Sequence, residues 1–250
     1  MVDVKSYDLK VSEIITLSPT AKALRFNLEG KPFVFKPGQF AMLEVSTQEF
    51  PDFKISDGVS HVQKRPLSVS SSSNNQKFLE FTIKMTGENP FFSKYIVDHV
   101  KVGDVMNIKG PYGVFVLDLK LANNTTLIGA GSGIAPLICM YRYVAESYPN
   151  KRVHLLSSNK TEDEILWKDE IVSLGKPKIR THEFTLTQDN SENPLYSHGR
   201  ISKEMIERSI PDIENTAVYL CGPPGMIQSA ESALLEMGIP KEKIKKEFYN

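Results

Sequence analysis

Two short stretches of this chain carry residues that could do chemistry. The first is Gly129-Ala130-Gly131-Ser132-Gly133-Ile134-Ala135-Pro136, which follows an apolar run and opens a segment of helical apolar spacing. Glycine allows a tight backbone turn and lets a phosphate approach the N-terminus of the following helix. The spacing is G-x-G-x-G-x-x-P, which differs from the G-x-G-x-x-G dinucleotide fingerprint with its acidic residue about 20 positions on. Pro136 falls in the first helical turn, where its missing N–H costs nothing. A plain strand-to-helix turn would also use glycines. The position after the first strand of a parallel unit favours a dinucleotide, because ligands of such sheets bind at the carboxyl ends of the strands.

The second stretch is Tyr219-Leu220-Cys221-Gly222-Pro223-Pro224-Gly225-Met226. An apolar strand again ends in a Gly/Pro-rich turn and a helix begins. Cysteine is commonly buried for packing alone. Beside the glycine loop, Cys221 is read as a strand-end thiol facing the same crevice.

The elements that must position these stretches change character near residues 117–124. Before that point, residues 7–17, 23–28, 40–45, 78–85 and 104–108 read as short strands with Gly/Pro punctuation. These suit an antiparallel barrel or sandwich. A short helix is expected over 90–98, and the polar stretch 46–64, with Pro51 and Gly58, reads as a long surface loop. After it, strands at 125–128, 152–156, 179–185, 218–220 and 244–248 alternate with helices at 134–147, 162–174, 202–208 and 226–237. That alternation builds a parallel sheet with helices on both faces. The expected division is a β-barrel domain over 1–118 and a Rossmann-like α/β domain over 119–250.

Composition narrows the function. Lys and Arg total 30, as do Asp and Glu; residues 1–118 hold 14 against 13, leaving 16 against 17 for the rest. Neither half has the basic excess of a general nucleic-acid or anionic-membrane binder. The two cysteines, Cys139 and Cys221, form no CxxC pair, so this chain alone cannot hold an iron–sulfur cluster, and a disulfide scaffold is not expected. The five histidines lack metal-ligand spacing, and no metal site is expected. The first nine residues are polar and charged, unlike a signal peptide, and no apolar run approaches the ~20 residues of a membrane helix. The default address is the cytoplasm, with reduced thiols.

The two glycine stretches resemble those of the ferredoxin–NADP reductase superfamily, which includes cytochrome b5 reductases and reductase components of oxygenases. Three motifs in the first half extend the resemblance in the same order as the family. Phe35-Lys36-Pro37-Gly38-Gln39-Phe40 resembles a P-G-Q-F strand start, Arg65-Pro66-Leu67-Ser68 resembles R-x-Y-S/T, and Gly110-Pro111-Tyr112-Gly113 resembles a G-P-x-G turn at the end of the barrel.

The resemblance implies an FAD site in the first half and an NADPH or NADH site in the second. Arg65 would pair with the FAD pyrophosphate, since a planar guanidinium fork suits phosphate oxygens. Pro66 and Leu67 would flank the flavin; Leu67 stands where the family has Tyr, which removes a stacking ring. Ser68 would offer its hydroxyl to flavin N5. Thr82, Ile83 and Lys84 would line the flavin through their backbone, and Pro90, Phe91, Phe92 and Ser93 would cradle the pyrophosphate, without the glycine the family has there. Without the resemblance, Arg65 is an ordinary surface charge and residues 68–73 a solvated loop.

On the nucleotide side, the resemblance assigns binding to Gly129, Gly131, Ser132, Gly133, Ile134 and Pro136, and to Cys221, Gly222, Pro223 and Met226, with Cys221 near the nicotinamide. The second parallel strand ends Ser157-Ser158-Asn159-Lys160-Thr161, with no carboxylate to take a ribose 2′-hydroxyl. Ser158 and Lys160 are read as receiving a 2′-phosphate, with Asn159 between them also assigned to the nucleotide and a lean to NADPH; Lys160 reads equally as a solvated charge near Glu162 and Glu164. The end, Glu247-Phe248-Tyr249-Asn250, resembles a terminal E-x-Y in which an aromatic ring covers the flavin and the acid assists proton movement. Phe248 and Tyr249 both qualify as the cover, and both also read as simple core aromatics.

The expected function is a reductase that passes electrons to a separate redox protein such as a ferredoxin, a cytochrome or an oxygenase component. A flavin or small-molecule reductase and a non-catalytic electron-transfer subunit of a larger complex are the alternatives.

Overall fold

In the computed structural model, residues 3–46, 62–85, 91–189 and 193–249 are described. The first part forms β1 (Lys5–Ser18), β2 (Ala21–Asn27), β3 (Phe40–Ser46), β4 (Val62–Ser68), β5 (Phe78–Lys84), α1 (Phe91–His99) and β6 (Val105–Tyr112). The strands make one antiparallel sheet in the order β4-β3-β6-β1-β2-β5. The sheet curls until its two edges meet at an antiparallel bridge between Val69 and Phe81. Its concave face holds an apolar core that includes Leu24, Phe26, Phe33, Leu43, Phe81 and Ile108, all fully buried, and α1 adds Ile96 to it. The expected antiparallel barrel is thus present.

The second part forms β7 (Asn124–Ala130), α2 (Ile134–Ser147), β8 (Arg152–Asn159), α3 (Lys168–Leu174), β9 (Arg180–Leu186), β10 (Ser197–His198), α4 (Lys203–Ser209), β11 (Thr216–Gly222), α5 (Pro224–Glu236) and β12 (Ile244–Phe248). All neighbours in the order β10-β9-β8-β7-β11-β12 pair in parallel. Every residue of β11 is buried. That two-faced burial reflects an apolar layer on each side of the sheet, one built with α2 and α3 and the other with α4 and α5. The expected Rossmann-like sheet is also present.

Three expectations need correction. Residues 62–64, read as the end of a loop, begin β4, and Ser68 closes it; Ser70, Ser71 and Ser72 beyond are buried, so the solvated-loop reading of 68–73 does not hold. The strand expected over 104–108 runs on to Tyr112, so the turn read at 110–113 is confined to Gly113, whose φ of +99° suits glycine. The single helix expected over 162–174 is a 3-10 turn at Glu162–Glu164 and then α3. Between them Ile165, Leu166 and Trp167 are buried, and Trp167 sits at φ +61° with its indole N–H donated to Thr82 Oγ1 of β5 at 2.9 Å. Tertiary packing of these three side chains overrides the local helical pattern.

Candidate active site

The strand order reverses between β7 and β11, where connections leave toward opposite edges of the sheet. Such a switch point opens a crevice at the carboxyl ends of the strands. Both sequence stretches lie there. Gly129 of β7 pairs directly with Cys221 of β11. A Cβ on Gly133 would collide with the Cys221 carbonyl, and one on Gly129 would sit 2.6 Å from Leu137 Cδ1. Gly131, at φ +55°, faces open space instead. The glycines therefore do different things: two let the loop press against β11, and one leaves a concavity. The start of α2 carries no side-chain cap; the Ile134 N–H turns back to the Gly131 and Ser132 carbonyls and Pro136 has none, so an anion here would meet the other N–H groups of the glycine loop. Ile134 and Pro136 are buried, leaving only their backbone for a ligand. Ser132 is half-buried; across the crevice Pro223 is exposed, and Met226 packs against Gly222.

The barrel contributes β4, an edge strand whose only partner is β3, which is how it tolerates Pro66. Leu67 packs against the barrel core, while Ser68, opposite Phe40, is 4% exposed. Arg65 is exposed; its guanidinium donates to the Lys64 carbonyl at 2.8 Å and lies 5.5 Å from the centre of the Phe92 ring in the first turn of α1. A free cationic fork beside a helix start suits a pyrophosphate. Ser93 follows in that turn, and Pro90 lies outside the described residues.

The two halves meet at the C-terminus. The Tyr249 hydroxyl hydrogen-bonds Ser68 Oγ, and the Cys221 thiol is near enough to act on the phenol electrostatically. The Tyr249 backbone N–H donates to the Gly222 carbonyl at 3.1 Å. Phe248 turns outward, 46% exposed, with Lys246 Nζ 5.9 Å from its ring centre. Tyr249 is thus the terminal aromatic in the cleft. Glu247 stands opposite Cys221 in the β11–β12 pair, and its Oε2 is buried with no hydrogen-bond partner among the described residues. Burial lifts the Glu247 carboxyl to about 7. Burial first, and the nearby Glu247 charge second, push the Cys221 thiol well above its ordinary value. Burial also raises the Tyr249 phenol, aided by Cys221 and Glu247. The cleft is therefore a low-dielectric space with one carboxyl able to gain or lose a proton near neutrality.

At the end of β8, Ser158 and Asn159 are buried, and the Asn159 amide donates to Ser157 Oγ at 3.2 Å. Lys160 is exposed. The acids beside it in sequence are engaged elsewhere: Glu162 with Lys168, and Glu164 with Lys84 at 2.7 Å.

Family models match in two adjoining blocks: an oxidoreductase FAD-binding domain over residues 8–117 and an oxidoreductase NAD-binding domain over 127–232. The chain belongs to the ferredoxin–NADP reductase superfamily. Its two matched blocks are an FAD-binding and an NAD-binding domain of oxidoreductases. Among curated relatives of this reductase, the reductase component of propane 2-monooxygenase from Rhodococcus jostii is 27% identical across 100% of this chain, which spans 64% of that protein's length. Sulfhydrogenase 2 subunit gamma of Pyrococcus furiosus is 28% identical over 96% of this chain and 82% of its own. Among solved structures, the flavohem-like FAD/NAD-binding domain of nitric oxide dioxygenase from Vibrio cholerae superposes with a TM-score of 0.83 at 23% identity, covering 97% of this chain and 98% of that one. Its likeness concerns the fold.

The reductase also holds a contact system that the sequence reading missed. β5 is buried on both faces. Leu79, Phe81 and Ile83 enter the barrel core, while Glu80, Thr82 and Lys84 meet the second sheet's layer at Arg142, Trp167 and Glu164. The side chains of Thr82 and Lys84 thus serve this seam, which leaves their backbone for the flavin role expected of them. A glutamate between Leu79 and Phe81 of β5, and an arginine within the largely apolar α2, were the available signals.

Proposed function

We infer that this reductase takes hydride from a pyridine nucleotide in the cleft between Ser68 and Cys221 and passes the electrons to a separate redox protein. The observation that carries this reading is Tyr249, whose hydroxyl bonds Ser68 of one sheet and whose backbone N–H bonds Gly222, next to Cys221, of the other. Bound FAD would supply the hydride-accepting ring and the conversion between two-electron and one-electron carriers. Arg65, with the start of α1, would hold the pyrophosphate. The Ser68 hydroxyl would donate to the flavin edge, and its burial would strengthen that bond. The glycine loop at the start of α2 would receive the nucleotide phosphates. Tyr249 would keep water out of the cleft, and Glu247 would hold or release a proton behind Cys221. We assign the domains to residues 1–118 and 119–250.

The acceptor proposed is a ferredoxin, a cytochrome or an oxygenase component, supported by a curated relative that is named as an oxygenase's reductase component. NADPH is the proposed nucleotide: Lys160 is exposed while Glu162 and Glu164 pair with other lysines, which leaves its ammonium to a 2′-phosphate. A cytoplasmic setting accords with two cysteines that are both free and buried.

The test is the visible spectrum of the purified protein, followed anaerobically by NADPH and then NADH. Flavin absorbance that bleaches faster with NADPH is the expected result. A colourless protein that FAD does not reconstitute would overturn the reading, and turnover with free flavin but with none of the three protein acceptors would replace the acceptor class.

A further inference from the structure

Arg142 lies on the helix that begins at the nucleotide loop, eight residues beyond Ile134, about 12 Å along its axis. Its guanidinium crosses to the barrel. One nitrogen donates both to the Ser70 carbonyl at 2.6 Å and to Glu80 Oε1 at 2.5 Å. The other two hold Glu170 at 2.6 and 2.7 Å, and the cation lies 4.3 Å from the centre of the Trp167 ring. Glu80 is fully buried and completely engaged: Oε2 takes Arg25 Nε at 2.9 Å, and Oε1 also accepts from Ser70 Oγ at 3.0 Å. Ser70 is two residues past Ser68. One side chain therefore ties the strand end that carries Ser68 to the helix that starts at the glycine loop. Along the same seam Ser72 and Asn74 bond Glu146 of α2, at 2.5 and 3.0 Å.

We propose that Arg142 is a positioning residue for hydride transfer: through Glu80 and the Ser70 carbonyl it fixes the angle between the two sheets, and so the alignment of nicotinamide against flavin. The proposal rests on the functional reading above. Its physical basis is the stiffness of the joint. A planar guanidinium with five donors in fixed directions holds a geometry that apolar contact alone leaves free to slide. A buried ion pair is weak evidence of stabilisation, because desolvation opposes it, and its best-attested use is to specify one arrangement over others. Arg142, Glu80 and Glu170 are not among the residues placed in the cleft, so loss of their contacts would disturb alignment rather than remove a group from the reaction.

The experiment uses the purified FAD-loaded protein and the variants Arg142→Lys, Arg142→Met and Glu80→Gln/Arg142→Met. The double variant removes both charges of the pair together and guards against misfolding from a buried glutamate left with Arg25 as its cation. Anaerobic stopped-flow flavin reduction over a nucleotide series separates limiting rate from half-saturation. Acrylamide quenching of Trp167, the only tryptophan of the chain, reports the seam itself. The expected result is a limiting rate at least tenfold lower in both Met variants, with half-saturation within twofold, unchanged reduction by dithionite, and more easily quenched Trp167. Arg142→Lys should recover most of the rate. A double variant that retains FAD and the parent limiting rate would overturn the proposal, as would a loss expressed wholly in half-saturation. A parent protein that neither NADPH nor NADH reduces would instead sink the functional reading on which it stands.

Discussion

The hydroxyls of Ser68 and Tyr249 are hydrogen-bonded to each other although 181 positions separate them in the chain. Ser68 ends a barrel strand, and Tyr249 follows the last strand of the parallel sheet. This contact makes Ser68 the barrel's polar group in the cleft. Ser68→Ala should slow flavin reduction by about a hundredfold to a thousandfold, the range seen when one preorganised donor is removed. Half-saturation by nucleotide should stay near the parent value. Stopped-flow reduction at an unchanged limiting rate would refute the role.

Among the described residues Arg65 makes one hydrogen bond, to its neighbour's carbonyl, and lies over Phe92. If its fork holds the pyrophosphate, Arg65→Ala removes charge-assisted bonds worth about 1.5–3 kcal/mol. FAD should then bind roughly tenfold to a hundredfold more weakly. Titration of the apoprotein with FAD, followed by quenching of flavin fluorescence, measures this directly.

Glu247 should impose a pH dependence near neutrality. Its carboxyl is lifted by burial to about 7 from 4.5. The folded state therefore binds more protons than the unfolded state between these values, so the stability linked to this group is fully present below pH 4.5 and lost as pH rises through 7. Its partial exposure keeps the effect to about 1–2 kcal/mol. Glu247→Gln should abolish any step near pH 7 in the limiting rate of flavin reduction. A profile identical to the parent's would remove Glu247 from the proton-handling role.

His154 acts in the opposite direction. Burial holds its imidazole down to about 4, from 6.5, and its Nε2 is buried without a partner among the described residues, while Nδ1 shares a 2.8 Å hydrogen bond with Thr181 Oγ1. Here the unfolded chain binds the extra proton, so stability present above pH 6.5 is lost as pH falls toward 4. His154→Gln should flatten that acid limb in urea denaturation by about 1–3 kcal/mol. Because Glu247 and His154 titrate over overlapping ranges with opposite signs, the parent curve should be flatter than that of either single variant.

Gly133→Ala tests the nucleotide loop. The added methyl would run into the Cys221 carbonyl, which is backbone and yields only if β11 or the loop shifts. Overpacking of this kind costs about 1–3 kcal/mol. The expected outcome is a lower melting temperature together with weaker NADPH binding, read by thermal unfolding and by nucleotide titration. Gly131→Ala, with open space at its Cβ, should affect the melting temperature less.

Much of this architecture was legible in the residues. Alternating apolar positions marked β1, β2 and β5, and the strand–helix rhythm after residue 124 gave the parallel sheet, because period 2 and period 3.6 reflect which face meets a core. β4 was hidden because Gln63 and Lys64 read as the end of a loop and Arg65 to Ser68 as a motif with no apolar alternation. An edge strand needs neither apolar alternation nor a full set of backbone donors, and the pairing with β3 decides it. The break before α3 was hidden for another reason: Ile165 to Trp167 suit a helix locally and are drawn out by burial and by the bond to Thr82. The glycine loop and Cys221 could be placed at one crevice from sequence, but the choice between Phe248 and Tyr249 needed the side chains themselves. Glu80 and Arg142 lie 62 positions apart, and no local pattern announces a partner at that range.

The second face of β5 has a consequence for how such proteins can be recombined. Separating the chain near residue 118 would leave the Glu80 carboxylate on one fragment with Arg25 and take away Arg142, the buried guanidinium that holds its other oxygen. The halves are thus not interchangeable cassettes. A chimera that draws its flavin half and its nucleotide half from different parents should assemble only if both sides of this seam come from the same parent, whatever the quality of its two binding motifs.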